Sequence, residues 1–231
     1  MAYNHGREDR KWRIWKEAEE KVLRECGVNE TVIEQIRTDD RADFNSNRKK
    51  GLIDGFKKYG IIGVLVAIAG FIAFYVGLSP FDRQPSIEKV LIEGVVYYIG
   101  VAIIEELYVR GLLLNLIEKM MAKNKNSTLI AVVLSAVIFG VGHIFGMLSQ
   151  PLLVIVSKVV WTIGMGIFFG MVYKKTNNLW LPIIIHFLIN VCALPYCFSS
   201  VNGYANLTLY IVVPTYIILG IYSFIELKKE A

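Results

Sequence analysis

Ionisable side chains in the middle of long apolar runs are the residues of this sequence best suited to chemistry. Two of the three histidines, His143 and His186, lie in such runs, and a third run carries Glu105, Glu106 and Arg110. On insertion scales an ionisable group at membrane depth costs about 2.5–3.5 kcal/mol, so groups of this kind need partners. We therefore expect the polar side chains of the three runs to converge in one site.

The acidic pair, Glu105 and Glu106, lies about one helical turn before Arg110. Glu106 and Arg110 share a helix face and are expected to form an ion pair, whereas Glu105 is rotated away by about 100° and has no cation on its own helix. A carboxyl group placed in this way suits general acid–base catalysis. The alternative is a structural salt-bridge cluster that holds helices together, and for Glu106 and Arg110 this alternative is favoured.

The two histidine runs show the same spacing. Phe139 precedes His143 by four residues and His186 precedes Asn190 by four, so each pair shares a helix face. A single intramembrane histidine often serves only as a hydrogen-bond partner between helices, but three runs with polar groups at helical spacing favour a functional site. One glutamate and two histidines are also zinc ligand types, although the sequence has no His-Glu-x-x-His motif.

The elements that position these residues are predicted to be membrane-spanning helices. Hydrophobic residues make up 55% of the 231-residue chain and its mean hydropathy is +0.48, too apolar for an ordinary soluble domain of this size. The apolar runs are long enough to cross about 30 Å of hydrocarbon. We predict an all-α, polytopic transmembrane helical bundle with six spans, over residues 59–79, 89–117, 128–148, 152–173, 179–198 and 207–226.

The charges of the connecting loops agree with six spans. Lysine and arginine are frequent before the first span and after the second, fourth and sixth, whereas the connections after the third and fifth contain neither. This alternation predicts a multi-pass protein of the plasma membrane with both termini in the cytoplasm. The net charge of +5 then reflects cytoplasmic loops and contact with anionic lipid, so nucleic acid is not an expected partner.

Residues 1–57 are predicted to form a separate, charged cytosolic or interfacial region, and residues 58–231 the transmembrane core. A first helix over residues 8–26 ends near Gly27, a second begins near Asn29, and residues 39–50 are expected to be a polar connection into the membrane. The first helix carries Trp12 and Trp15, which suit either a lipid surface or packing within a helical pair. The cysteines form no metal-binding pattern and are interpreted as packing residues; they are Cys26, Cys192 and Cys197. Close helix packing is expected at glycines, namely Gly140, Gly142, Gly164, Gly166 and Gly170.

Together, the three patterns resemble a known family. Glu-Glu-x-x-x-Arg at residues 105–110, Phe-x-x-x-His at 139–143 and His-x-x-x-Asn at 186–190 are similar to the motifs of the CPBP family of intramembrane proteases, which includes the CAAX-prenyl endopeptidases and bacteriocin-processing and bacteriocin-immunity proteins. The resemblance covers about residues 60–200. Each motif is short, but their order on separate spans is specific. One departure is Val109, where an aromatic residue commonly precedes the arginine.

The resemblance implies an intramembrane endopeptidase. By it, Glu105 and His143 activate a water molecule for attack on a peptide carbonyl, while His186 and Asn190 stabilise the oxyanion of the tetrahedral intermediate. The supporting residues are Glu106, Arg110 and Phe139.

Two versions of this mechanism stay open. In one, a zinc ion is held by Glu105, His143 and His186; in the other, a glutamate–histidine pair works without metal. The metal-free version is favoured because two separated histidines and one glutamate define a metal site less tightly than paired ligands do.

The expected substrate is a membrane-associated peptide or membrane protein. The charged N-terminus, lysine-rich loops and small size are typical of a bacterial protein, for which a prenylated substrate is not expected. One rival hypothesis is a non-catalytic immunity or scaffold protein that keeps the motifs for structural reasons. Another is a small transporter, against which the lack of interrupted half-helices argues.

Overall fold

The computed structural model describes residues 5–78, 85–199 and 206–229, which are almost wholly helical. The N-terminal part is a helical hairpin, α1 (His5–Glu25) and α2 (Glu30–Gly55). A π-helical segment, Phe56–Gly60, continues α2 directly into α3 (Ile61–Val76). The backbone is therefore helical without a break from Glu30 to Val76, across the expected boundary at residue 57.

The turn of the hairpin follows from two residues. Gly27 has a φ of +78°, a left-handed conformation that costs glycine little, and Asn29 caps α2 by accepting a 3.0 Å hydrogen bond from the backbone N–H of Thr31. The two helices are joined by ion pairs such as Asp9–Arg41, at 2.7 Å. Residues 39–50, expected to be a polar connection into the membrane, form the second half of α2, because this segment lacks proline and its polar residues extend the helix.

The rest of the chain forms the bundle that holds the site. The second long helix is composite, with a π-helical segment in its middle: α4 (Ile87–Glu106), Leu107–Leu114 and α5 (Asn115–Met120). The helix α6 (Ser127–Gly142) ends in a 3₁₀ turn, His143–Gly146. The remaining helices are α7 (Leu152–Thr176), α8 (Trp180–Cys192) with a following 3₁₀ turn, Leu194–Phe198, and α9 (Asn206–Lys228).

The protein is an all-α, polytopic membrane protein, as predicted. Among the described residues, five helical segments are long and apolar enough to cross a membrane: Leu52–Val76, Ser127–Gly146, Leu152–Thr176, Trp180–Phe198 and Asn206–Lys228. The remaining predicted span, the second along the chain at residues 89–117, corresponds to the composite helix Ile87–Met120. Its charged residues, Glu105, Glu106 and Arg110 among them, set it apart from the other five.

The centre of the bundle is α7, which packs on α6 and α9 through glycines. A Cβ atom at Gly164 would lie 2.1 Å from the backbone oxygen of Tyr216 in α9, and one at Gly170 would lie 2.7 Å from Val132 in α6. Close packing at Gly140 is also present, since a Cβ there would lie 3.0 Å from the backbone oxygen of Val159 in α7. The same expectation for Gly142 was wrong, because a Cβ there would meet no atom within 4 Å.

Candidate active site

A buried chain of three charged or titratable side chains joins α4, the π-helical segment and α8. Arg110 Nη1 donates a 3.0 Å hydrogen bond to Glu106 Oε1, and His186 Nδ1 lies 2.8 Å from the same oxygen. Arg110 Nη2 also donates to the backbone oxygen of Gly166 in α7, at 3.0 Å. The expected ion pair is thus present, and because Glu106 and Arg110 are fully buried it is shielded from water. A charge pair at this depth needs such additional hydrogen bonds to offset its desolvation.

Two phenylalanines enclose this chain. The guanidinium carbon of Arg110 lies 4.9 Å from the ring centroid of Phe139 and 5.3 Å from that of Phe169. The same rings contact the imidazoles, with Phe139 4.9 Å from His143 and Phe169 5.1 Å from His186 between centroids. Desolvated cation–π contacts contribute about 2 kcal/mol each. Phe169 is a residue that the sequence analysis missed, since nothing distinguishes it from the other apolar residues of α7.

Both histidines have one ring nitrogen held by the protein. His143 follows the last residue of α6, and its Nδ1 lies 2.8 Å from the carbonyl oxygen of Phe139. A carbonyl oxygen only accepts, so Nδ1 carries the hydrogen and Nε2 is the nitrogen with a lone pair in the neutral ring. The carboxylate of Glu106 fixes His186 in the same way. His186 Nε2 lies 3.7 Å from Glu105 Oε2, so the unpaired glutamate faces the buried chain.

Glu105 and His143 line one cavity of about 720 Å³. Its walls come from α4, the π-helical segment, α6, the 3₁₀ turn after α6, and α7, and most of them are apolar; they include Ile104, Val109, Leu113, Ile138 and Met147. The side chain of Glu105 is 32% exposed, whereas that of His186 is 2% exposed and lies behind it. An acid and an imidazole with a free nitrogen therefore share an accessible space next to a second, buried imidazole.

The structure does not bring Asn190 to this cavity. Asn190 lies one turn after His186 in α8 and lines a smaller cavity of about 130 Å³, with Trp161 and Tyr216 in its wall. Lys158 and Tyr196 line both cavities. Lys158 is a second residue that the sequence analysis did not assign to the site, although it is the one charged residue inside the apolar run 152–173.

The donor atoms of the site agree chemically with zinc, since two histidines with Nδ1 held by oxygen acceptors present Nε2. The side chains of Glu105, His143 and His186 are not arranged as the three zinc ligands expected from the sequence. Within residues 5–78, 85–199 and 206–229, no three His, Cys, Asp or Glu side chains are grouped so that they would hold a metal ion. Among these residues, the predicted trio of Glu105, His143 and His186 therefore does not form a metal-binding cluster.

Comparison with known proteins gives one family match. Residues 87–192 match the model of the family described as type II CAAX prenyl endopeptidase Rce1-like. This region contains all three motifs and nearly all of the residues that build the buried chain and the larger cavity, so the match confirms the resemblance drawn from the motifs. No curated protein and no solved structure matches the chain significantly.

Proposed function

We propose that this chain, which belongs to the CPBP family through its residues 87–192, is an intramembrane endopeptidase that hydrolyses a peptide bond of a membrane-associated peptide or protein. One observation carries the proposal. Glu105 lies on the wall of the same cavity as His143 and 3.7 Å from Nε2 of His186, so the acid shares a cavity with one oriented imidazole and lies beside a second, buried one.

In the proposed reaction a water molecule binds between the carboxylate of Glu105 and Nε2 of His143. Glu105 takes a proton from the water while the water oxygen forms a bond to the peptide carbonyl carbon. When the tetrahedral intermediate collapses, the carbon–nitrogen bond breaks and Glu105 returns the proton to the leaving amine. The separation of 3.7 Å between Glu105 and His186 is too long for a direct hydrogen bond and leaves the carboxylate able to bind water.

We assign stabilisation of the oxyanion to His186. The carboxylate of Glu106 accepts a hydrogen bond from Nδ1 and fixes the ring, so a ring that also carries a proton on Nε2 would donate from that nitrogen to the oxyanion. Arg110 holds that carboxylate in place. The role expected for Asn190 requires the substrate to extend into the neighbouring smaller cavity, whose wall shares Lys158 and Tyr196 with the larger one.

The surroundings of the site suit this chemistry. The mostly apolar walls lower the local dielectric, and fixed hydrogen bonds are stronger in such surroundings. We further propose that the protein resides in the plasma membrane with both termini in the cytoplasm, because the positive loops alternate along the chain.

The experiment compares the membrane peptides of cells that express the wild-type protein, Glu105→Gln or the control Glu88→Gln, which changes an exposed glutamate in the first turn of the same helix. We expect new peptide termini in the wild-type and control membranes that are absent with Glu105→Gln. Identical peptide profiles in all three would refute the proposal. If the protein instead protects cells from a peptide toxin and Glu105→Gln protects equally well, the non-catalytic alternative holds.

A further inference from the structure

The helix that carries Glu105, Glu106 and Arg110 changes its hydrogen-bond pattern beside the site. The eight residues Leu107–Leu114, which include Arg110, are π-helical, whereas the flanking segments are α-helical. At the end of the π-helical segment, the backbone hydrogen bonds return from i→i−5 to i→i−4, and this change leaves one backbone carbonyl without an amide partner. Here that carbonyl lies in the turn before Asn115. A buried carbonyl without a partner costs free energy, so another donor must hold this turn.

The side chain of Asn115 is that donor. Its Nδ2 lies 3.0 Å from the carbonyl oxygen of Arg110 and 2.9 Å from that of Gly111. The same nitrogen lies 3.0 Å from the hydroxyl of Tyr173 in α7. Because carbonyl oxygens only accept, these contacts define which end of the amide faces the helix. Asn115 therefore closes the π-helical segment and ties it to α7.

A second layer of contacts holds Asn115 itself. Lys174 Nζ donates to Asn115 Oδ1 at 3.4 Å and to Glu118 Oε2 at 2.5 Å. Glu118 Oε1 accepts a 2.6 Å hydrogen bond from the hydroxyl of Thr128 in α6. Tyr173 and Lys174 are both buried, at 1% and 9% exposure, so these contacts are protected from water. Three helices thus meet at the end of the π-helical segment.

We propose that Asn115 is a positioning residue, which fixes the register of the π-helical segment and through it the orientation of His186. The chain of contacts runs from Asn115 to the backbone of Arg110, from the Arg110 guanidinium to Glu106, and from Glu106 to His186. If the segment reverted to α pairing, the side chains on its two sides would turn relative to each other by about 100°. The pair of Glu106 and Arg110 would then be unable to keep both the Arg110 contacts in α6 and α7 and the Glu106 contact in α8. His186 would therefore lose its fixed partner.

The test uses ¹⁵N-histidine NMR of the full-length protein in lipid nanodiscs, because the chain has only three histidines, His5, His143 and His186. The variant is Asn115→Asp, which keeps the size of the side chain but turns a carboxylate toward two carbonyl oxygens. We expect the His186 ring to change from one Nδ1-protonated tautomer to a mixture. The His143 signal should stay unchanged, since the Phe139 carbonyl holds that ring independently of Asn115.

The matched control is Thr208→Val, which removes a buried 2.9 Å hydrogen bond from the Thr208 hydroxyl to the carbonyl oxygen of Ala73 without contact to the site. It should lower stability without altering any histidine signal. A folded Asn115→Asp protein with wild-type His186 signals would overturn the proposal. If Asn115→Asp does not fold, the test uses Tyr173→Phe, which removes the hydroxyl that contacts Asn115 Nδ2. A smaller change of the His186 signals is expected for this variant, and unchanged signals would also overturn the proposal.

The consequence for catalysis rests on the proposed endopeptidase function and has a separate readout. With a cleavable peptide, Asn115→Asp should lower kcat by about tenfold or more with little change in KM, because a small misplacement of catalytic groups costs up to about a hundredfold. The NMR result does not depend on turnover. A His186 change in a protein that cleaves nothing would therefore support the positioning role while removing the proposed function.

Discussion

Replacing Arg110 by methionine should destabilise the protein strongly, because it leaves the Glu106 carboxylate buried without its cation. Both side chains are fully buried, and Glu106 would keep only His186 as a partner. Breaking one side of a buried ion pair costs about 3–5 kcal/mol. The variant also loses the hydrogen bond to Gly166, worth about 1 kcal/mol, and the contacts with the rings of two phenylalanines. We therefore expect a loss at the upper end of that range.

The double variant Glu106→Gln/Arg110→Met separates the cost of an unpaired charge from the loss of packing. With both charges removed, its destabilisation should be smaller than the sum of the two single variants by about 1–3 kcal/mol. The assay is reversible unfolding in mixed micelles of increasing SDS content, followed by far-UV circular dichroism. The control, Arg41→Met, removes a partly exposed ion pair of the N-terminal hairpin and should destabilise far less than Arg110→Met.

Two outcomes would refute this reasoning. An Arg110→Met protein within about 1 kcal/mol of the wild type would show that the buried charge of Glu106 is neutralised in some other way. Strict additivity of the two single variants would show that Glu106 and Arg110 do not interact energetically. Loss of activity alone would decide neither point, so the stability measurement comes first.

Three further predictions concern packing and pH. Gly164→Ala should lower the free energy of unfolding by about 1–3 kcal/mol, because its Cβ would lie 2.1 Å from a backbone oxygen of α9. Gly70→Ala is the control and should cost little, because its Cβ would meet no atom within 4 Å. The same micelle titration compares the two variants. Phe169→Leu should destabilise by about 1–2 kcal/mol through loss of a cation–π contact, and it should shift the ¹⁵N signals of the adjacent imidazole ring. Hydrogen bonds from Arg41 and Arg13 hold the pKa of Asp9 below its ordinary value of 3.8. The ionised carboxylate therefore stabilises the hairpin above pH 3.8, and this stabilisation is lost as the pH falls through the lower pKa of the folded state. Hydrogen exchange should then show α1 opening in acid, and unchanged protection of α1 would contradict this prediction.

The sequence predicted most of the helices and the approach of His186 to the Glu105, Glu106 and Arg110 motif. Periodicity is sufficient for this, because four-residue spacings such as Glu106–Arg110 put side chains on one face, and ionisable groups at membrane depth must find partners. The cap at Asn29 and the turn at Gly27 were likewise predictable from local chemistry.

Other features depend on tertiary contacts that leave no local signal. The π-helical segment Leu107–Leu114 has no distinguishing composition and is held by Asn115, whose donor role appears only when α7 packs beside it. Asn190 shares a helix face with His186, but one turn along α8 takes it to the neighbouring cavity. The polar stretch of α2 suits a loop as well as a solvated helix, so its composition alone does not decide between them.

The most direct test of the central claim is cleavage of a defined peptide by the purified protein in lipid vesicles. The peptide is the one whose new terminus depends on Glu105 in cell membranes. Glu105→Gln should lower kcat by about 10²–10⁴-fold, as expected for loss of a general base, with folding unchanged and Glu88→Gln fully active. Cleavage by Glu105→Gln at the wild-type rate would contradict the account, because the acidic side chain on the cavity wall would then have no part in the reaction.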